Sequence, residues 1–220
     1  MQNKKLLIVT GPQGSGNHLF SRLFSKHPEV AGWEELLDKY WVPSDQEPFA
    51  EYWVRPELLT PEIFETHQYH MANVSCPFFY NGVRYVPKIL EVAERVKSFG
   101  VDVTIAIVVR DQNINQMQQL RVRKAHTTPI AQDYYYNTLL ASDLDVNFVD
   151  HEAFFLHKQH YLKWIGKILD FPVAWDDPEI LKFIDKDANH KYIKYIEDYW
   201  LDDIVLAGCQ PDRNNRLKNS

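Results

Sequence analysis

The sequence contains two cysteines, Cys76 and Cys209, in 220 residues. Two thiols are too few for a disulfide framework, which indicates a reducing compartment. The segment before Gly11 is too short for a signal peptide, and no run approaches the ~20 apolar residues that a transmembrane helix needs. We therefore expect a cytoplasmic protein that makes no contact with a membrane.

An excess of positive charge is also missing. The chain carries 24 Lys and Arg against 30 Asp and Glu, for a net charge of −6. Proteins that bind nucleic acid normally present a basic face, so we expect no nucleic-acid partner. The basic cluster at 213–218 is interpreted as part of a solvated tail. Any phosphate site must then be built locally, from backbone amides and a few arginines.

Apolar sequence is plentiful, with 45% hydrophobic and 14% aromatic residues. This content is enough for a sizeable core, and the length predicts a single domain over 1–220. The stretch at 29–80 is rich in proline and tryptophan and is expected to form an irregular insert over the active-site end. Residues 207–220 are expected to form a C-terminal tail.

Continuous apolar runs at 6–10 and 103–109 predict strands buried on both faces, and shorter strands are expected at 72–76 and 146–149. Apolar residues at helical spacing predict helices in these regions: 17–26, 87–99, 112–124, 127–140, 157–169 and 178–206. Strands that alternate with helices predict an α/β P-loop fold of three layers, with helices flanking a central, mainly parallel sheet.

A glycine-rich segment lies between the first predicted strand and the first helix, with the spacing of a P-loop: Gly11, Pro12, Gln13, Gly14, Ser15, Gly16, Asn17 and His18. Glycines permit positive φ, so successive N–H groups can converge on phosphate, and the helix dipole favours an anion there. Asn17 replaces the usual lysine, and His18 replaces the Ser or Thr that binds magnesium. The loop therefore predicts phosphate binding without metal-dependent ATP or GTP hydrolysis.

Further motifs follow in order along the chain. His27-Pro28-Glu29-Val30 trails the first helix, Ile107-Val108-Val109-Arg110-Asp111 ends a strand, and related short motifs occupy 148–154 and 167–172. Together with the loop, these stretches resemble the PAPS-dependent sulfotransferase family, especially its carbohydrate-type and prokaryotic branches. The resemblance covers most of residues 6–195.

The resemblance implies transfer of a sulfuryl group from PAPS to a hydroxyl or amine, on a small-molecule or carbohydrate acceptor and without a metal. Residues 11–18 would hold the 5′-phosphosulfate, and Arg110 would hold the 3′-phosphate. Gln118 occupies the place of a family serine eight residues after that arginine and could donate a hydrogen bond. Arg121, on the same predicted helix, could join the phosphate site.

A base must accept the proton of the acceptor. Glu34 and Glu35 occupy the place where carbohydrate-type members often carry a catalytic glutamate, and His70 is an alternative ahead of a predicted strand. His18 has two interpretations: a cationic donor, if bound phosphosulfate raises its pKa, or a side chain that points out of the first helical turn. The base, the acceptor and the oligomeric state stay open.

Departures of the loop from the family pattern keep two other functions open. Gly14 stands where the family has Lys or Arg, and Asn17 and His18 follow Ser-Gly where Thr or Ser is usual. One alternative is a nucleoside or nucleotide kinase-like P-loop protein. The other is a non-catalytic member of the sulfotransferase family that binds a nucleotide.

Overall fold

A computed structural model describes residues 4–33 and 42–184. Its strands are these: β1 (Lys5–Pro12), β2 (Val30–Ala31), β3 (Tyr69–Cys76), β4 (Phe78–Tyr80), β5 (Val83–Tyr85), β6 (Asp102–Val109) and β7 (Asp145–Asp150). Five of them form a parallel sheet in the order β2-β3-β1-β6-β7. The other two, β4 and β5, pair as an antiparallel hairpin.

The described helices are these: α1 (Asn17–Ser25), α2 (Ile89–Ser98), α3 (Gln112–Arg123), α4 (Thr128–Tyr134), α5 (His151–Ile168) and α6 (Pro178–Ile184). A π-helical turn at Tyr135–Leu139 continues α4. Among these described helices, none is long and apolar enough to cross a membrane.

Both faces of the sheet are covered by helices. Successive side chains of a strand point to opposite faces, and Leu6 of β1 packs in one cluster with residues of α2 and α4. Its neighbour Leu7 packs in a second cluster with residues of α1 and α5. Both leucines are fully buried. The predicted three-layer α/β fold with a central parallel sheet is confirmed.

The parallel register brings the carboxyl ends of the strands to one edge of the sheet. Pro12 at the end of β1 is paired with Cys76 of β3, and Val109 of β6 is paired with Asp150 of β7. Ligands of open α/β sheets bind outside these carboxyl ends. The segments that follow β1, β3, β6 and β7 are therefore the ones that can build a site.

The prediction of an irregular insert at 29–80 is wrong in part, because this stretch contains β2 and the whole of β3. β3 lies beside β1 inside the sheet. Its apolar run is interrupted by His70 and Asn73, both buried, and this interruption shortened the strand predicted at 72–76. Asn73 Oδ1 accepts a hydrogen bond from Asn17 (2.9 Å), whereas its Nδ2 is buried and has no partner among the described residues.

The helix predicted at 157–169 begins earlier, at His151. Asp150 caps it by accepting a hydrogen bond from the Ala153 N–H (2.7 Å). Lys158 has φ 53° and breaks the helical geometry, so the apolar periodicity before and after it does not run in phase. This local break explains why sequence periodicity located the second half of α5 and missed the first.

The hairpin of β4 and β5 was also missed. Its turn residues, Asn81 and Gly82, both have positive φ, and an Asn-Gly pair is the signal that could have predicted it. The described residues belong to one compact unit. The tail predicted at 207–220 and most of the region predicted as helical at 178–206 lie outside the described residues, so the single-domain prediction stays a prediction.

Candidate active site

The glycine-rich segment lies at the junction of β1 and α1. Its first turn is closed by the Ser15 N–H, which donates to the carbonyl of Pro12 (2.9 Å). Gly14 and Gly16 have φ of 89° and 101°, values that side chains with a Cβ rarely adopt. Gly16 is the N-cap residue of α1. The segment therefore has the strand–loop–helix context in which amide groups and a helix terminus bind phosphate.

Arg110 follows β6 and reaches this loop. Its Nη1 donates to the carbonyl oxygen of Gly14 (2.8 Å) and to Oε1 of Gln118 (2.7 Å). The structure thus brings together three of the predicted nucleotide-binding positions. Arg121, one helical turn beyond Gln118, is exposed in the last turn of α3.

A buried polar network on the other side of the loop attaches it to α3 and α4. Gln119 is fully buried, and its Nε2 donates to the carbonyl of Gln13 (2.7 Å). Its Oε1 accepts from the N–H groups of Thr127 (2.9 Å) and Thr128 (3.3 Å). Asn115, in the orientation that lets its amide donate, reaches the carbonyls of Gln13 and Gly14 at 3.0 and 3.2 Å. These contacts fix the backbone of the loop before any ligand is considered.

Asn17 stands at the position of the P-loop lysine and makes neutral contacts only. Its Nδ2 donates to Oδ1 of Asn73 (2.9 Å) and to Oγ of Ser75 (3.1 Å), both on β3. The side chain is buried. The position that supplies a positive charge in other P-loops is therefore occupied by an amide that is hydrogen-bonded to the sheet.

His18 lies within 3.3 Å of Oε1 of Glu47, and its ring meets the Trp33 ring edge-on. Burial, followed by the positive charge of Arg123, lowers the pKa of His18 to about 4. Burial also raises the pKa of Glu47 well above its ordinary value. The side chain therefore packs inward rather than pointing out of the first helical turn, and the interpretation as a cationic donor beside bound phosphosulfate stays a prediction.

The two other predicted bases lie elsewhere. On β3, His70 pairs with Leu6 of β1, and Ser75 pairs with the loop residue Gly11. Five residues of extended strand separate His70 from Ser75, or about 16 Å, so His70 lies toward the opposite edge of the sheet and the prediction of a base there is wrong. Glu34 and Glu35 lie outside the described residues. In the part of the chain that the structure describes, no three His, Cys, Asp or Glu side chains cluster to hold a metal ion.

Comparisons with known proteins add little to this geometry. No family model matches the chain, and no curated protein matches it. An unliganded sugar kinase from a Janibacter species is similar in structure, with 14% sequence identity and a TM-score of 0.40. The alignment covers 78% of this chain and 98% of the kinase chain.

Sequence reasoning missed several residues that contact the loop. Glu47 comes from the stretch predicted as irregular, and Gln119 was lost within a run of glutamines on α3. His151 was passed over because α5 was predicted to begin later. Its position directly after an apolar strand is the signal that could have found it, since such positions lie at the ligand-binding edge of a parallel sheet.

Proposed function

We propose that this chain is a group transferase that binds a nucleotide carrying two phosphate groups, and that it moves a sulfuryl group from PAPS to a hydroxyl or amine acceptor. The observation that carries the proposal is the contact of Arg110 with the carbonyl of Gly14. The amides of the loop and the guanidinium of Arg110, which follows the neighbouring strand β6, thereby lie side by side as two groups that can bind anions. A guanidinium fork suits a terminal phosphate because it contacts two oxygens at once.

The chemistry of the loop favours sulfuryl over phosphoryl transfer. Phosphoryl transfer by P-loop enzymes relies on a lysine and on magnesium held by a Ser or Thr hydroxyl. Asn17 and His18 provide neither group. A sulfuryl group carries less negative charge than a phosphoryl group, so its transfer depends less on a metal ion.

In the proposed reaction the acceptor oxygen or nitrogen forms a bond to sulfur, and the bond from sulfur to the 5′-phosphate oxygen breaks. The acceptor proton passes to a base, and 3′,5′-adenosine bisphosphate leaves. His18, in the first turn of α1, is kept as a candidate for that base, and a pKa of about 4 makes it a weak one at pH 7. Glu34 and Glu35 are kept as further candidates. A small-molecule or carbohydrate acceptor is proposed with the same reaction.

A thermal-shift comparison of 3′,5′-adenosine bisphosphate, AMP, ADP and ATP with magnesium tests the proposal. The bisphosphate at about 100 times its dissociation constant should stabilise the protein by about 2.7 kcal/mol. Stabilisation by ATP with magnesium alone would instead favour a kinase-like protein. Binding of the bisphosphate without turnover of PAPS over a panel of hydroxyl and amine acceptors would favour a non-catalytic nucleotide-binding protein.

Removal of the arginine tests the two-phosphate arrangement directly. Arg110→Ala should weaken the bisphosphate by about 10- to 100-fold, the usual effect of losing a charge-assisted hydrogen bond, and should weaken AMP much less because AMP has no 3′-phosphate. Arg95→Ala is the matched control, since Arg95 is exposed on α2 and packs over Phe99. Equal losses for both nucleotides would contradict the assignment of Arg110 to the 3′-phosphate.

A further inference from the structure

The loop has no cationic side chain of its own, so its attraction for phosphate comes from backbone amides and the helix terminus. Asn17 is neutral and hydrogen-bonded to β3, and burial keeps His18 neutral at pH 7. Ser15 Oγ, inside the loop, is buried and has no hydrogen-bond partner among the described residues. A buried hydroxyl without a partner costs free energy unless a ligand satisfies it. The loop therefore has an unused donor, and a cation that lies beside a bound phosphate must come from another element.

His151 is a titratable side chain that lies directly against this loop. It is 2% exposed, and it begins α5 at the carboxyl end of β7. A Cβ placed on Gly16 would lie 2.6 Å from Cδ2 and 3.3 Å from Nε2 of His151. The Cδ2–Nε2 edge of the imidazole thus faces the residue that caps α1, where the amides of the helix terminus are available to an anion.

The other edge of the imidazole faces a carboxylate. Nδ1 of His151 is buried and has no hydrogen-bond partner within the described residues, and Oε1 of Glu152 lies 3.6 Å away. Oε2 of the same carboxylate accepts from the Asp111 N–H (3.2 Å), next to Arg110. Burial acts to raise the pKa of Glu152, but its contacts with His151 and with the Asp111 N–H outweigh burial and lower the pKa. A negatively charged carboxylate therefore lies next to Nδ1 of the ring.

We propose that His151 is a binding residue for the 5′-phosphate of the donor nucleotide: Nε2–H donates to a phosphate oxygen held by the loop, and Glu152 balances the charge of the ring. His151 then supplies the cation that Asn17 does not. The inference rests on the proposed function, because it assigns a residue to one end of the same nucleotide. The ring of Phe155 packs against the imidazole of His151, with 4.9 Å between the ring centroids, and helps to fix its orientation.

His151→Gln tests the inference, because glutamine keeps a hydrogen-bonding side chain but cannot carry the charge. Calorimetric titration should show about 10- to 100-fold weaker binding of both AMP and 3′,5′-adenosine bisphosphate. In ³¹P spectra the bound 5′-phosphate signal should move in the variant, and the 3′-phosphate signal should stay. The matched control is His160→Gln, an exposed histidine farther along α5, which should leave binding unchanged.

A measurement on the unmodified protein covers the case in which the variant does not fold. With ¹⁵N-labelled histidine, addition of AMP should shift the His151 ring signals toward the imidazolium position, and adenosine should not. Normal affinity in His151→Gln, or ring signals that AMP leaves unmoved, overturns the inference while the proposed function stands. Failure of the unmodified protein to bind either nucleotide overturns the proposed function and this inference together.

Discussion

Gln119 is the residue whose removal should most directly release the phosphate loop from the rest of the fold. Its side chain is fully buried between the loop and the start of α4. Gln119→Ala deletes one donor, to the carbonyl of Gln13, and one acceptor, which serves the N–H groups of Thr127 and Thr128. The hydroxyl of Thr128 loses its contact with the same acceptor oxygen (3.1 Å).

The expected cost follows from the groups that are left without partners. A buried polar group that loses its hydrogen bond costs about 1–3 kcal/mol, and water that enters the space recovers part of this cost. The Gln13 carbonyl keeps its contact with Asn115, so the backbone N–H groups of Thr127 and Thr128 are the ones left without a partner. We expect Gln119→Ala to lose about 2–4 kcal/mol of the free energy of unfolding. That is a large share of the stability of an ordinary domain, about 5–15 kcal/mol.

Urea denaturation followed by circular dichroism measures this loss. Gln112→Ala is the control, because Gln112 is exposed in the first turn of the same helix, and it should change stability by about 0.5 kcal/mol or less. Gln119→Glu separates the two halves of the network, since it keeps an acceptor and places a carboxylate oxygen against the carbonyl of Gln13. A loss below about 1 kcal/mol in Gln119→Ala would refute the idea that this amide holds the loop.

Two further predictions concern the same loop. Gly16→Ala should lose about 2–4 kcal/mol of the free energy of unfolding, because its φ is positive and the added Cβ clashes with His151. Gly100→Ala is the control: Gly100 has φ 77° and nothing lies within 4 Å of its added Cβ, so this variant should show only the smaller cost of strain. Equal losses in the two variants would show that the contact with His151 is unimportant. Because the pKa of His18 is lowered from 6.5 to about 4, the unfolded state takes up a proton before the folded state does. The contribution of neutral His18 to the free energy of unfolding should be complete above pH 6.5, and it should fall by up to about 3 kcal/mol as the pH drops to about 4. His18→Gln should remove this part of the acid dependence in urea titrations between pH 4 and 8, and an unchanged dependence would contradict the burial of a neutral imidazole.

The local elements of the phosphate loop could be predicted from the sequence. The run at 6–10 is apolar at every position but the last, which leaves few alternatives to a strand buried on both faces. Gly14 and Gly16 have positive φ, so the spacing of the glycines correctly indicated the backbone conformation of the loop. The same holds for the strand at 103–109, whose end places Arg110 at the edge of the sheet.

Predictions failed where buried polar residues or a distorted helix hid the apolar periodicity. Asn73 interrupts the apolar pattern of β3, and its side chain accepts a hydrogen bond from Asn17. A pattern of apolar residues cannot predict a partner 56 positions away. Lys158 changes the phase of α5. His70 was predicted to precede the strand, because the start of β3 was placed too late; it lies inside β3.

The sequence by itself determined the class of fold and the chemistry that the loop lacks, since both depend on neighbouring residues and on residue type. Tertiary structure decided which distant side chains meet at the loop. Gln119 contacts Gln13 across 106 positions, and His151 reaches Gly16 from the carboxyl end of β7. Parallel pairing brings these strand ends to one edge, and contacts made there depend on register and on side-chain direction, which local periodicity does not encode.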